Sequence, residues 1–262
     1  MTPPGVGAKR ELGQHFLVDE NILGVIARLA DLEGDDIVLE VGAGLGVLTR
    51  YLAARVRLVH AVEVDTELEP QLRGALRAAT NVELVFGDAL ELRLDDLEPL
   101  PTKLVANLPY SIATPLCVES LDGLPSIHRW CVMLQREVAD RFVAPPGSRS
   151  YGGVSVLIQL TCDQTGFHPV ARTCFRPQPN VDSALVALVR RRSWGPEYPW
   201  LKRVVQGAFS HRRKTLANSL ELAGVASRER TVSALAALGR PAGERAEALM
   251  PDEFPQLAGL LA

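Results

Sequence analysis

Between Ile37 and Leu134, short apolar runs alternate with stretches whose apolar positions recur every three or four residues. The runs Ile37–Val41, Leu58–Val62, Val82–Phe86, Lys103–Ala106 and Trp130–Leu134 predict strands, each short, rich in apolar residues and without strict alternation. Leu45–Ala54, Thr66–Ala79 and Pro115–Leu121 between them, and Gln135–Phe142 after the last, carry the helical period. Strands separated by helices pair in parallel through right-handed crossovers, so both faces of the sheet are covered. A late run, Ala184–Val189, predicts a strand closing one edge. The expected class is α/β, an open sheet with helices on both faces.

The pattern changes after Arg190. Ser193-Trp-Gly-Pro-Glu-Tyr-Pro199 reads as a linker, and beyond it only helical patterns occur: Trp200–Phe209, Lys214–Leu222, Ser227–Leu238 and Asp252–Leu261. Gly239 followed by Pro241 is a helix stop. Two domains are expected, a sheet domain over residues 1–192 and a small all-helical domain over 193–262. Leu216, Leu220, Leu222 or Ala223, Leu235 and Leu238 would form the core of the second. Ala144–Gly153 predicts a long polar loop beside the site of the first.

Composition narrows the function classes. The 262 residues carry a net charge of -3, so a nucleic-acid site must be a local basic patch. Cys117, Cys131, Cys162 and Cys174 form no C-x-x-C pair and have no His at zinc-ligand spacing, so they read as reduced, mostly buried thiols. With no apolar segment long enough to span a bilayer and no signal-peptide core, the expected compartment is the cytoplasm.

The chemistry gathers at strand ends. Glu40-Val-Gly42-Ala-Gly44-Leu-Gly46 joins the first strand to the first helix, where glycine lets the backbone turn and approach a ligand. Val47 stands where the dinucleotide fingerprint wants its third glycine, which counts against NAD. Glu63 ends the second strand, placed to accept from a ribose diol or simply to be solvated, and its charge disfavours a cofactor phosphate. Asp88, after the third strand, is placed to accept from an adenine amine. Together these ends point to an adenosine-bearing cofactor.

Asn107-Leu108-Pro109-Tyr110 follows the fourth strand. The exocyclic amine of adenine is a poor nucleophile because its lone pair is delocalised into the ring. Acceptors for both amine hydrogens, the Asn107 side-chain oxygen and the Leu108 carbonyl, favour a pyramidal nitrogen. Pro109 stiffens the turn and biases Leu108 away from the helical region, and Tyr110 offers a face on which a flipped base stacks. Such a transfer requires neither a strong base nor a metal.

These motifs, with Gly13-Gln-His-Phe-Leu17, Phe175-Arg-Pro-Gln-Pro-Asn-Val-Asp-Ser183 and Phe209-Ser-His-Arg-Arg-Lys-Thr-Leu-Ala-Asn-Ser-Leu220, stand in the order of the ribosomal RNA adenine dimethyltransferases, which the chain resembles from about Lys9 to Leu220. The late motif resembles the small-subunit branch, the kasugamycin-sensitivity type. The resemblance implies a Rossmann-like sheet and S-adenosylmethionine as cofactor, with S-adenosylhomocysteine as product and no metal. It implies two methyl transfers to each of two adjacent adenines near the 3′ end of 16S rRNA, in the small subunit or its precursor during maturation. By position, His15, Leu17, Gly42, Gly44, Glu63, Asp88 and Asn107 would line the cofactor site. Phe175 would face Tyr110 across the base, the other reading being a core phenylalanine. Many members have Asn where this chain has His15, and Pro where it has Ala43.

Eight basic residues, Arg190, Arg191, Arg192, Lys202, Arg203, Arg212, Arg213 and Lys214, stand against one acid, Glu197, and form the expected RNA-binding surface of the helical domain. Lys9 and Arg10 would extend it. Arg212 to Lys214 would start a helix, a poor place for cations unless a phosphate docks there. The alternatives are a macrolide-resistance type enzyme acting on 23S rRNA, a DNA adenine methyltransferase, or a ribosome-assembly or transcription factor that keeps the fold for binding. Nothing in the sequence demands more than a monomer.

Overall fold

The computed structural model of the chain describes Lys9 and residues 14–262. Gly13 of the first motif and Arg10 of the basic footprint lie outside the described residues. The chain divides into two compact units, one made of the residues up to Ala139 with Asp163–Arg190, the other of Asp140–Cys162 with Arg191–Ala262.

The first unit begins with β1 (Phe16–Leu17) and α1 (Glu20–Ala30), then β2 (Ile37–Val41), α2 (Val47–Ala53), β3 (Leu58–Glu63), α3 (Glu69–Leu76) and β4 (Val82–Phe86). It continues through β5 (Lys103–Asn107), α4 (Ala113–Gly123), β6 (Arg129–Gln135) and α5 (Arg136–Phe142), which runs into the second unit. After that unit's α6 (Gly153–Thr161) come β7 (Cys162–Val170), β8 (Phe175–Arg176) and β9 (Ser183–Arg190). Seven strands form one sheet in the order β4-β3-β2-β5-β6-β9-β7, while β1 pairs with β8 apart from it. β4, β3, β2, β5 and β6 are parallel neighbours, and β9 runs antiparallel to β6.

Burial explains why these runs become strands. All five residues of β2 are buried, as an interior strand covered on both faces requires. On β6 the Trp130 indole N–H donates to Ser120 of α4 at 2.9 Å, whereas the neighbouring Cys131 thiol donates to the Ile26 carbonyl of α1 at 3.8 Å. Adjacent strand residues point to opposite faces, so α4 and α1 cover opposite sides of the sheet. Asp19 caps α1 by accepting from the Asn21 N–H at 2.9 Å, and Asp31, left-handed at φ 51°, ends it.

The second unit contains α6, α7 (Tyr198–Phe209), α8 (Leu216–Leu222), α9 (Arg228–Ala237) and α10 (Glu253–Leu261). Tyr151, Phe209 and Phe254 meet in its core, with ring centroids 5.7 and 5.8 Å apart. The expected boundary at 192/193 lies close to the observed one after Arg190, but residues 140–162 group with the helices rather than the sheet. The polar stretch from Ala144 to Gly153 accordingly belongs to the second unit, where buried Tyr151 donates to the Leu249 carbonyl at 3.0 Å. Leu216, Leu220 and Leu235 are fully buried as expected; Leu222, at the last position of α8, is 59 % exposed.

At the end of the sheet away from the glycine loop, Lys103 is buried and pairs with buried Asp36 at 2.8 Å, also donating to the Asp31 carbonyl. Removing one partner of a buried pair leaves the other charge desolvated, at a cost of about 3–5 kcal/mol. Lys103→Ala should therefore lower the urea midpoint markedly, and the double change Lys103→Met with Asp36→Leu should recover most of the loss. A midpoint unchanged in Lys103→Ala would show that the pair contributes nothing.

Candidate active site

Parallel register brings four strand ends to one level. Val41 lies opposite Val62, Glu63 opposite Phe86, and Asn107 opposite Met133, so the loops after β2, β3, β4 and β5 leave the same edge. Between them lies a cavity of about 230 Å³, lined by His15, Leu17, Gly42, Gly44, Glu63, Asp88, Asn107, Leu108, Pro109 and Tyr110 among others. These are ten of the eleven residues that the sequence assigns to cofactor and catalysis.

The glycine loop is shaped by close approach. Gly42 is left-handed at φ 82°, and a Cβ there would come within 3.0 Å of the Pro109 ring. Gly44, at φ 56°, would meet the Phe16 ring at 3.1 Å. Any side chain at either position is strained by its backbone and crowded by the wall of the cavity. Glu63, only 5 % exposed, is held by two backbone amides: Gly44 N–H donates to Oε2 at 2.7 Å and Asp65 N–H to Oε1 at 2.9 Å. A carboxylate has about four acceptor sites, so two bonds fix its orientation and leave capacity for a diol. Asp88 accepts from the Leu90 N–H at 2.9 Å through Oδ1.

The Asn107 side-chain NH₂ donates to the His15 carbonyl at 3.1 Å. With its nitrogen committed, the amide presents its oxygen as the remaining group, the orientation required to accept from an amine. Among the described residues, no backbone N–H outside the helices and strands donates to the Leu108 carbonyl. The Tyr110 hydroxyl shares a 2.7 Å hydrogen bond with buried Ser183, and its ring lies 5.6 Å from that of His15. His15 donates through Nδ1 to the Pro177 carbonyl at 2.8 Å.

Phe175 does not join this group. It pairs with Leu17 across β1 and β8 and is fully buried in the core cluster, and it is not among the residues that line the cavity. In this structure it is the core phenylalanine of the second reading. Arg190 is likewise committed elsewhere, donating to the carbonyls of Ile127, Leu121 and Leu124 at 2.7, 2.7 and 3.1 Å with its guanidinium over Trp130. Arg191 donates to the Gln159 carbonyl, Arg192 stacks on Trp194, and Arg203 donates to the Gly224 carbonyl. Lys202 is half-buried on α7. Arg212, Arg213 and Lys214 lie exposed in the turn before α8, not in the helix, whose N-cap is Thr215; Arg212 donates to the Arg149 carbonyl.

Sequence reasoning assigned no role to Glu40, Gln14, Val64 or Ser183. Glu40 lines the cavity, is 1 % exposed, and its Oε2 has no hydrogen-bond partner. Burial pushes its carboxyl up to about 8, against the pull of the Thr49 hydroxyl and with help from the Glu63 charge. The acids around the cavity are Glu40, Glu63 and Asp88, and among the described residues no Lys or Arg lines it. Such a wall suits a cationic, phosphate-free ligand. The sulfonium and ammonium groups of S-adenosylmethionine fit that donor set, as its ribose and adenine fit Glu63 and Asp88.

The family model for ribosomal RNA adenine dimethylase matches residues 6–250. Ribosomal RNA small subunit methyltransferase A of Rubrobacter xylanophilus is 46 % identical, over 95 % of this chain and 93 % of its own. The protein of the same name in Geobacter metallireducens is 45 % identical, over 98 % and 97 %. Among solved structures, a dimethyladenosine transferase from Plasmodium falciparum matches with TM-score 0.78 at 25 % identity, covering 93 % of this chain and 96 % of that one. The 23S rRNA methyltransferase ErmE matches with TM-score 0.67 at 29 % identity, covering 94 % and 99 %.

Glu40 gives the site a pH signature. Its folded carboxyl keeps a proton up to about 8, whereas an ordinary one releases it near 4.5. Between those values the folded state binds more protons than the unfolded, so this group's contribution to stability falls as pH rises, by at most about 1.4 kcal/mol per pH unit. Glu40→Gln should remove that slope, so that wild type and variant, compared by urea denaturation, diverge in the variant's favour from pH 5.5 to 7.5. Parallel profiles would mean that Glu40 is ionised in the fold.

Proposed function

The chain belongs to the ribosomal RNA adenine dimethylase family, and we propose that it transfers methyl groups from S-adenosylmethionine to the exocyclic amines of two adjacent adenines near the 3′ end of 16S rRNA. The observation that carries this reading is the Asn107 amide, pinned through its nitrogen by the His15 carbonyl beside an acidic cavity that no Lys or Arg among the described residues lines. The names of the relatives at 45–46 % identity favour the small subunit over the large; the 23S enzyme is 29 % identical.

The chemistry that S-adenosylmethionine supplies when bound is an electrophilic methyl group on a positively charged sulfur. Glu63 would hold its ribose, Asp88 its adenine amine, and Gly42 and Gly44 would let the backbone approach. His15 and Leu17 line the same cavity. Asn107 Oδ1 and the Leu108 carbonyl accept from the two hydrogens of the target amine, favouring the pyramidal nitrogen whose lone pair attacks. These acceptors act most strongly as positive charge develops on that nitrogen, which is where binding accelerates a reaction. The methylated amine is then acidic enough to lose its proton without a strong base. Tyr110 supplies the stacking face, its ring oriented by the bond to Ser183.

Charge divides between the two units in a way that supports an RNA substrate. Residues 140–162 and 191–262 carry thirteen Lys and Arg against eight Asp and Glu, a net of +5; residues 1–139 and 163–190 carry fifteen against twenty-three, a net of -8. Phosphate binding falls to the helical unit, with Arg212, Arg213 and Lys214 its exposed basic turn and Arg191, Arg192, Lys202 and Arg203 along α7 and its approach. Arg190 serves the sheet unit instead. No helix among the described residues is long and apolar enough to cross a membrane. We place the activity in the cytoplasm, with a monomer acting on the small subunit or its precursor.

Incubation with methyl-labelled S-adenosylmethionine and either unmethylated small subunits or large subunits tests the assignment. Label should appear as dimethyladenosine at two adjacent positions near the 3′ end of 16S rRNA. Label in 23S rRNA would move the enzyme to the other branch, and no label in either would overturn the reading.

A further inference from the structure

The segment that supplies the His15 carbonyl is itself held by a residue outside the cavity wall. Asp65, two residues beyond Glu63, is 5 % exposed, and its carboxylate accepts from Gln14 Nε2 and Lys9 Nζ, each at 2.8 Å. The Lys9 N–H in turn donates to Gln14 Oε1 at 2.8 Å, and Lys9 Nζ also pairs with Glu67 at 3.0 Å. Burial would lift the Asp65 carboxyl, but the hydrogen bonds from Lys9 and Gln14 overrule it and hold the group below its ordinary value. Asp65 is therefore ionised at neutral pH, and the tether is a charge-assisted one.

Gln14 immediately precedes His15, whose carbonyl accepts from the Asn107 amide. One chain of bonds thus runs from the end of β3 through Gln14 and His15 to Asn107. The same strand end contributes Glu63 through a different group, because it is the Asp65 backbone N–H, not its carboxylate, that donates to Glu63. Changing the Asp65 side chain cuts the first chain and leaves the second in place.

We propose that Asp65 is a positioning residue that fixes the Asn107 amide by anchoring Gln14 and, through it, the His15 carbonyl. Without the anchor the carbonyl is free to leave Asn107, and the amide loses the partner that aims its oxygen at the target nitrogen. The inference rests on the role assigned to Asn107 above. Its mark is a loss in the rate of transfer rather than in the binding of either substrate, since neither cofactor nor RNA touches Asp65 in this account.

The test is steady-state kinetics of Asp65→Ala, Asp65→Asn, Gln14→Ala and the double change Asp65→Ala with Gln14→Ala, on small subunits, with calorimetric cofactor affinity and circular dichroism. Asp65→Ala should lower kcat by at least about tenfold, the scale of a misplaced reacting group, with cofactor Kd and RNA KM within about threefold of wild type. Asp65→Asn keeps an acceptor for Gln14 and should restore most of the rate. The double change should be no slower than the slower single one, the non-additivity expected of one linkage. Hydrogen exchange at Phe16 and Leu17 should quicken in Asp65→Ala, a readout independent of catalysis. A wild-type kcat in Asp65→Ala, fully additive losses, or a loss confined to cofactor Kd would overturn the proposal. Inactivity of the wild type on adenine, with exchange still quickened by Asp65→Ala, would overturn the reading of Asn107 while leaving the anchor itself established.

Discussion

The parallel register of β2, β3, β4 and β5 is the constraint from which the site follows. Because Val41 is level with Val62, and Glu63 with Phe86, the glycine loop, Glu63 and Asp88 leave the sheet side by side. The ladder carries on past the strands: Gly42 N–H donates to the Val62 carbonyl at 2.8 Å and Gly87 N–H to the Glu63 carbonyl at 2.9 Å. A slip of one residue would move every side chain to the opposite face of the sheet, against the wrong helix layer, so packing of β2, β3 and β5 against the helices locks the register. The buried Lys103–Asp36 pair secures the opposite end of the same strands. Catalytic geometry is thus a by-product of core packing, and the functional loops need only be short.

Electrostatics then decides what the cavity accepts. Acids line it without a compensating Lys or Arg among the described residues, which opposes phosphate and favours a cationic cofactor. Glu40 carries this furthest: buried, partly unpartnered and shifted up to about 8, it is a group whose charge is costly until a cation arrives. The net charge turns positive only in the other unit, where thirteen basic residues outnumber eight acids. In the proposed reading, separate units meet the opposite demands of a cationic cofactor and a polyanionic substrate.

Much of this was legible in the chain. The interior strands β2, β3, β5, β6 and β9 are legible to within a residue or two because they are largely apolar on both faces, and edge strand β4 because Val82, Leu84, Val85 and Phe86 still make an apolar run. β7 was missed: Asp163, Gln164 and Thr165 are exposed on an edge strand and leave no apolar run. α6 was missed for the opposite reason, since Val156, Leu157, Ile158 and Leu160 are all buried and show no helical stripe. Two of the assigned residues, Phe175 and Arg190, lie apart from the cavity lining and the exposed basic turn, because non-local contacts decide where they go. The sequence does not say that β1 pairs with β8 and that Phe175 is buried in the core, nor that Arg190 is taken up by three carbonyls near α4. Eight of the ten cavity residues are legible because their motifs fall at strand ends, where position in the sheet fixes position in space; His15 and Leu17, on or beside β1 apart from that sheet, come only from the family resemblance.

The central claim is that Asn107, aimed by the His15 carbonyl, acts on the target amine in the transition state. It is tested most directly by single-turnover methyl transfer in Asn107→Ala at saturating cofactor and small subunits, with folding confirmed. The account predicts a rate at least about a hundredfold below wild type, the loss typical of one preorganised polar partner. Transfer at the wild-type rate would contradict it.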